Sequence, residues 1–355
     1  KRYIVLSKMI INNRAIGKEH PPFIIAELSA NHNRDIQRAF DIIKSAKECG
    51  ADAVKIQTYT ADTITLNVNK NDFFINDNDS LWSGSSLYDL YEKAHTPWEW
   101  HKPIMKRANE LGMLCFSSPF DESAVDFLED LNVPAYKIAS FENNHLPLIK
   151  KASSTGKPII ISTGMATVSE IHEAVVAARE SGCKDLILLK CTSTYPATPE
   201  SSNILTIPHM RELFDCEVGL SDHTMGVGTS IAAVAHGATV IEKHFTISRD
   251  DGGVDSTFSL EPNELELLVI ETKRAFESLG KISYGIVGEE EKSKIFRRSL
   301  YIAEDMNSGD IFTKDNLRIV RPGEGLKPKY YDKVLGRKVN CDVKKGHPVS
   351  WGLLV

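Results

Sequence analysis

Lys55 and Lys137 each interrupt a short aliphatic run, AVKIQTY (53–59) and AYKIAS (135–140). An ammonium in such a run is costly to desolvate, so it meets either a neighbouring carboxylate, such as Glu27 or Glu142, or a bound anion. Ser140 closes the second of these runs, and Ser118, Ser162 and Ser221 lie near the ends of other runs of the same kind. Ammonium groups supply charge and hydroxyls donate hydrogen bonds, so together they form a cradle for a small dianion bearing phosphate or carboxylate. Gln57 stands two residues after Lys55 and shares its face if the run is extended. His223 in VGLSDHT follows one further run, and His244 lies near the end of another, VIEKHF. Two such imidazoles can share one divalent ion, leave coordination positions open and polarise a carbonyl. Mixed nitrogen and oxygen ligation suits manganese, iron, cobalt or zinc. A metal-free proton relay, or two hydrogen-bonded core histidines, are the other readings. Glu27, Glu142 and Glu242 supply the carboxylates, for acid–base work or for orienting a lysine or histidine.

The elements that must position these groups can be counted. Eight β-branched runs stand at FIIAELS (23–29), AVKIQTY, LCFSSPF (114–120), AYKIAS, PIIIST (158–163), DLILLKCTS (185–193), CEVGLSD (216–222) and VIEKHF (240–245). Between most of them lies a helical pattern such as IQRAFDIIKSAKECG, with Gly50 placed to stop it. This rhythm predicts an α/β fold, a (β/α)₈ barrel, with polar groups at the C-terminal ends of its strands. An open doubly wound sheet would call for a Gly-rich turn after the first strand, and the chain reads LSANHN there. Residues 60–97 are too polar and irregular for another barrel unit and predict an insertion over the catalytic face. Beyond Gly280 short strands and turns predict a small β-rich domain at 295–355, joined to a barrel at 21–282 by an exposed linker at 283–294. Residues 1–20 form an N-terminal extension, and those before Met9 read as upstream sequence.

The 355 residues, 42% hydrophobic and 25% charged, suit an ordinary globular protein with room for a large core. The formal charge of -6 comes from interspersed groups without a basic stripe, so no nucleic-acid partner is expected. No apolar stretch is long enough to span a bilayer, and Lys, Asn and Arg break up the opening segment. A cytoplasmic protein with no membrane partner is expected. The six cysteines show no C-x-x-C pair and read as reduced.

The strings IIAELSANHN, GADAVKIQTYT, FSSPFDESAVDFLEDLNVPAYKIASFE, IISTGMAT, KCTSTYP, VGLSDHTMG and VIEKHFT resemble the sialic acid synthase family across the whole barrel. RRSLYIAEDMNSGD and VRPGEGLKP resemble the antifreeze-like (SAF) domain that these synthases carry at the C-terminus. The resemblance implies condensation of phosphoenolpyruvate with an amino-sugar aldehyde. It sets the phosphate against Lys137, Ser118, Ser140, Ser162 and Ser221, and the carboxylate towards Lys55 and Gln57. It implies a divalent metal on His223 and His244, manganese first, with magnesium or cobalt as the other candidates. Glu27 is the candidate base for the attacking water, with Glu142 and Glu242 as orienting groups. By the same resemblance Tyr195 and Asp255 contact the sugar. Arg321 would reach a partner's site in a homodimer, although by type alone it reads as a surface arginine at a turn. Within the family, SANHN, LWSGSSLYDLYEKAHTPWEWH and RPGEGLKPKYY look most like the pseudaminic acid branch, whose substrate is 2,4-diacetamido-2,4,6-trideoxy-L-altrose. N-acetylneuraminate or legionaminate synthesis is the alternative, and a non-catalytic sugar-binding relative a remote one. Trp82, Tyr88, Tyr91, Trp98 and Trp100 are candidate apolar walls for such a sugar, or else pack the insertion onto the barrel.

Overall fold

The structure, a computed structural model, describes residues 9–76 and 82–355. Expectations for residues 1–8 and for 77–81 of the insertion lie outside the described residues. The chain divides after Gly280 into two compact units.

In the first unit eight parallel strands close into a barrel: β1 (Phe23–Glu27), β2 (Ala53–Thr58), β3 (Leu114–Pro119), β4 (Tyr136–Ile138), β5 (Ile159–Ser162), β6 (Leu186–Cys191), β7 (Glu217–Ser221) and β8 (Val240–His244). Each neighbours the next in sequence, and β8 pairs with β1 to finish the ring. Every predicted run holds one of these strands, trimmed at its ends. The helices that follow are α1 (Ile36–Glu48), α2 (Ala61–Ile64), α3 (Leu87–Ala94), α4 (Trp98–Glu110), α5 (Glu122–Asp130), α6 (Leu146–Ser153), α7 (Val168–Glu180), α8 (Thr206–Phe214), α9 (Gly228–Ala235) and α10 (Pro262–Leu279). Among the described residues no helix is long and apolar enough to cross a membrane.

Strand periodicity sorts the side chains into two cores. Ile24, Ala26, Val54, Ile56, Ile161, Leu188 and Ile241 point outward and pack against the helices. Phe23, Ile25, Ala53, Phe116, Ala135, Ile160, Leu189 and Val240 fill the interior. Gly219 is required in that interior, because a Cβ there would lie 2.1 Å from the Val240 carbonyl oxygen. A hairpin of Met9–Ile11 and Arg14–Ile16, unassigned in the sequence reading, adds Met9, Ile11 and Ile16 to the interior core. Two residues further along each strand the same inward face turns polar: Glu27 follows Ile25, Lys55 follows Ala53, Ser118 follows Phe116, Lys137 follows Ala135 and Glu242 follows Val240. An apolar layer thus gives way abruptly to a charged one.

The second unit has its own core, including Leu300, Ile302, Phe312, Leu317, Val339 and Val349, around an antiparallel pair, β9 (Ser299–Ile302) and β10 (Leu317–Val320). The charged run preceding it forms the exposed helix α11 (Glu290–Ser293), with ion pairs Lys292–Glu289 and Lys294–Glu291.

Candidate active site

Strand register brings the charged layer together. Glu27 lies opposite Lys55 on one side and His244 on the other, while Ser221 lies opposite Glu242. Lys55 Nζ lies 2.8 Å from Glu27 Oε2 and 3.3 Å from Glu242 Oε1, and donates to Ser118 Oγ at 3.2 Å. Lys137 Nζ reaches the same Glu242 Oε1 at 3.3 Å, and Ser221 Oγ donates to it at 3.1 Å. Glu242 therefore sits between two ammonium groups. Burial alone would raise its pKa, but Lys137 and Lys55 overcome that and hold it down at about 2. Burial pushes the Lys137 ammonium the other way, towards its neutral form. Glu27 Oε1 accepts from the Ser29 amide at 2.9 Å and from Gln57 Nε2 at 3.3 Å. Glu142 has no such set: burial pushes its carboxyl up to about 7 against the pull of Lys137, and one oxygen has no hydrogen-bond partner.

The two histidines stand beside this cluster with ring centroids 5.4 Å apart. His223 Nδ1 contacts the Thr192 carbonyl at 2.8 Å, which leaves Nε2 to face the site. Buried His244 Nδ1 has no hydrogen-bond partner and lies 3.8 Å from Asp255 Oδ2. Burial, with His223 alongside, drives the His244 pKa well below its ordinary value, so the ring stays neutral, as a metal ligand must. Among the described residues no set of three or more His, Cys, Asp or Glu side chains converges as a metal cage. The donor set present is two imidazoles, which fits an ion that draws its remaining ligands from water and substrate.

These groups line a cavity of about 430 Å³, within the usual size range of a small-molecule pocket. Among the predicted residues, Glu27, Lys55, Gln57, Lys137, Ser140 and Glu142 line it, as do Ser162, Tyr195, Ser221, His223, Glu242, His244 and Asp255. Ser118 stands behind Lys55. Tyr195 packs its ring on His223 at 4.4 Å and on Phe258 at 5.1 Å. Asp255 is held by Ser29. Ser140 Oγ accepts from the Gly164 amide at 3.2 Å, an approach that needs glycine, since a Cβ there would meet Ser193 Oγ at 2.1 Å. Arg321 lies in the second unit, exposed, just after β10.

The five aromatics divide between the two readings. Trp82 and Tyr91 line the cavity, but Trp98 stacks on Phe127 at 4.6 Å and donates to the Tyr59 carbonyl, Trp100 meets His32 edge-on, and Tyr88 donates to Asp62. The sequence reading missed Ser29, Cys191, Tyr59, Phe120 and the leucines of α3, all of which line the cavity. Leu87, Leu90, Tyr91 and Ala94 carried a signal, the i, i+3, i+4, i+7 spacing of one helical face.

The chain is similar to known proteins over most of its length. The model of the NeuB family matches residues 42–284 and that of the SAF domain matches 297–355. A pseudaminic acid synthase of Campylobacter jejuni is 44% identical over 93% of this chain and 96% of its own length. An N,N'-diacetyllegionaminic acid synthase of the same organism is 36% identical over 91% of this chain and 97% of its own. The crystal structure of an N-acetylneuraminic acid synthetase from Leptospira borgpetersenii, in complex with citrate, superposes with a TM-score of 0.71 at 30% identity, covering 81% of this chain and 95% of that one. With a family match over most of the barrel and full-length relatives above 30% identity, the chain belongs to the NeuB family and carries a SAF domain at its C-terminal end.

Proposed function

We propose that the chain is a pseudaminic acid synthase, which condenses phosphoenolpyruvate with 2,4-diacetamido-2,4,6-trideoxy-L-altrose to give pseudaminic acid and phosphate. The observation that carries this reading is a set of unsatisfied polar atoms in one cavity. Buried Ser162 Oγ, Glu142 Oε2, Glu242 Oε2 and His244 Nδ1 have no hydrogen-bond partner, and all four side chains line it. Buried polar groups are normally satisfied, so such a concentration marks where a polar ligand binds. The higher identity to the pseudaminic than to the legionaminic relative from one organism supports the choice of sugar.

In this reading Lys137, with Ser140, Ser162 and Ser221, holds the phosphate, and Lys55 with Gln57 holds the carboxylate. Glu242, which occupies both lysines at rest, keeps them charged and aligned until the dianion arrives. His223 and His244 would hold a divalent metal, manganese first, which supplies Lewis acidity to the sugar carbonyl. C3 of phosphoenolpyruvate bonds to the aldehyde carbon, whose oxygen becomes an alkoxide and takes up a proton. Water adds to the resulting cationic C2 and gives up a proton, and the C–O bond to phosphate then breaks to leave the C2 ketone, with the C2 hydroxyl proton passing to the departing phosphate. Glu142 takes the water's proton, since it keeps an oxygen free and titrates near neutrality. Glu27, committed to Lys55, Gln57 and the Ser29 amide, positions the lysine rather than moving the proton. Asp255 and Tyr195 contact the sugar.

Phosphate release from phosphoenolpyruvate tests this, with the altrose, its manno counterpart and N-acetylmannosamine offered in parallel. The altrose is expected to be preferred, with a nine-carbon diacetamido acid seen by mass spectrometry and a rate that climbs through pH of about 7 as Glu142 ionises. Preference for the manno sugar reassigns the product, and no phosphate from any sugar refutes catalysis.

The enzyme is further proposed to work in the cytoplasm as a homodimer in which Arg321 of the partner's SAF domain meets the sugar's acyl group. Three features support a dimer. Ile282 and Tyr284, just beyond the barrel, are 93% and 96% exposed. Phe141, Met165 and Met225, in the loops after β4, β5 and β7, are exposed as well. Residues 295–355 carry twelve Lys and Arg against seven Asp and Glu, in a chain that is acidic as a whole. Lys137→Met and Arg321→Ala chains, each impaired alone, are then expected to recover activity when unfolded and refolded together, because a mixed dimer contains one site with both residues native. No recovery, with mixed dimers present, argues against reach between subunits.

A further inference from the structure

The cavity has two chemically distinct ends. One is the charged layer of the strands; the other is formed by the insertion. Helix α3 opens on a firm cap, with Ser86 Oγ accepting from the Asp89 amide at 3.0 Å. The strand-like bridge between Phe74 and Ser86 fixes the entry to the helix. At its far end Arg34 donates to the Glu92 carbonyl at 3.2 Å, tying α3 to the loop after β1. The helix is amphipathic: Asp89, Glu92 and Lys93 are exposed, and Leu87, Leu90, Tyr91 and Ala94 face the cavity. Among the described residues Leu87, Leu90 and Tyr91 stand outside the hydrophobic cores. Phe120 and Tyr59, at the ends of β3 and β2, extend the same surface, with Tyr59 edge-on to Tyr91 and to Phe120 at 5.7 and 5.0 Å.

An apolar helix face that is fixed in place yet turned to a cavity instead of a core is stabilised when an apolar group fills the space. Phosphoenolpyruvate, small and bearing both a phosphate and a carboxylate, belongs at the charged end. The occupant of the apolar end is therefore the far end of the second substrate. We propose that Leu87 and Leu90 of α3, with Tyr91 and Ala94, form the specificity wall that recognises the deoxygenated C6 methyl end of the sugar and rejects a hydroxyl there. This rests on the synthase reading above and adds to it which residues select the sugar. A hydroxyl against Leu87 and Leu90 would lose its water without gaining a partner, which disfavours it.

The test compares two sugars that differ only at C6, the 6-deoxy diacetamido altrose and its 6-hydroxy counterpart. Phosphate release is measured for the wild-type chain, Leu87→Gln, Leu90→Gln and Lys93→Gln, the last on the exposed face of α3. The wild-type and Lys93→Gln chains are expected to favour the deoxy sugar by about tenfold or more, the scale of one methyl in an apolar pocket. Leu90→Gln, and Leu87→Gln beside it, should bring that ratio towards one through a raised KM for the deoxy sugar, with KM for phosphoenolpyruvate unchanged. Circular dichroism reports whether each variant is folded, and Leu90→Met, which keeps the wall apolar, should retain the wild-type ratio. Folded glutamine variants with an unchanged ratio overturn the wall. So does a wild-type chain that uses both sugars equally, and that result leaves the synthase reading standing. No phosphate from either sugar overturns both.

Discussion

Lys137→Met is expected to lower kcat/KM for phosphoenolpyruvate by about 10²- to 10³-fold, the usual cost of removing one preorganised charged donor from a dry site. Methionine keeps an unbranched, flexible side chain, one heavy atom shorter, and removes the charge together with its N–H donors. The loss should be visible because nothing else can take over: Lys55 is already held by Glu27 and Glu242, 2.8 and 3.3 Å away. The fold should survive. Breaking a buried ion pair is severe when it strands a charge, but Glu242 would keep Lys55 and Ser221 as partners. The variant's signature should lie in acid. In the wild-type chain the Glu242 carboxyl is held at about 2, so its contribution to stability is present above the ordinary carboxylate range and is lost as pH falls towards that value. Removing one of its two cations raises that pKa, so the contribution is smaller in the variant and is lost at higher pH. Acid titration followed by circular dichroism, from pH of about 5 downwards, measures this, and steady-state kinetics at neutral pH measures the catalytic loss. A variant within about threefold of wild type in kcat/KM would remove Lys137 from the substrate cradle.

The barrel was legible because each strand carries one rule along its length. Ile25 then Glu27, Ala53 then Lys55, and Ala135 then Lys137 are period-2 steps from an apolar layer into a polar one. A polar residue at such a step can be picked out from type and spacing alone. What spacing does not carry is which charge meets which. Glu242 follows Val240 by the same rule, yet its place between Lys55 and Lys137 arises only when β8 closes against β7 and β1. The pKa of Glu142 near 7 is likewise set by burial within the assembled cavity, which no local pattern encodes.

The side chains of the insertion and of α4 divide for physical reasons. Trp98 and Trp100 lie on α4, whose inward face packs on the barrel, so their rings serve that packing. Leu87 and Leu90 have the helical spacing of an apolar face, set within an insertion whose surroundings are polar. Spacing was the better guide there. Outward from the site, Asp222 and Lys243 form a buried pair at 3.0 Å, next to Ser221, His223, Glu242 and His244 in the chain. This pair, with Lys243 Nζ also donating to the Thr224 carbonyl at 2.6 Å, ties the ends of β7 and β8 together behind the site.

His223→Ala and His244→Ala should each abolish metal-dependent turnover, by about 10³-fold or more, if Lewis acidity worth several kcal/mol is lost with the ion. The two variants should differ in stability. His244 Nδ1 has no hydrogen-bond partner to lose, whereas His223 gives up its contact with the Thr192 carbonyl and its packing on Tyr195, so His223→Ala should unfold at the lower temperature. Turnover alone would not separate loss of the ion from loss of shape, so bound manganese should be measured directly by metal analysis after dialysis. Both variants should retain less than wild type while still binding phosphoenolpyruvate, because the cradle of Lys55, Lys137 and Ser221 lies on other residues. EDTA should reduce the wild-type chain to the level of the variants and leave the variants unchanged. A double variant that remains fully active and indifferent to EDTA would exclude the metal and return the histidine pair to a proton relay, in which case Glu142 and His223 would be the groups to examine next.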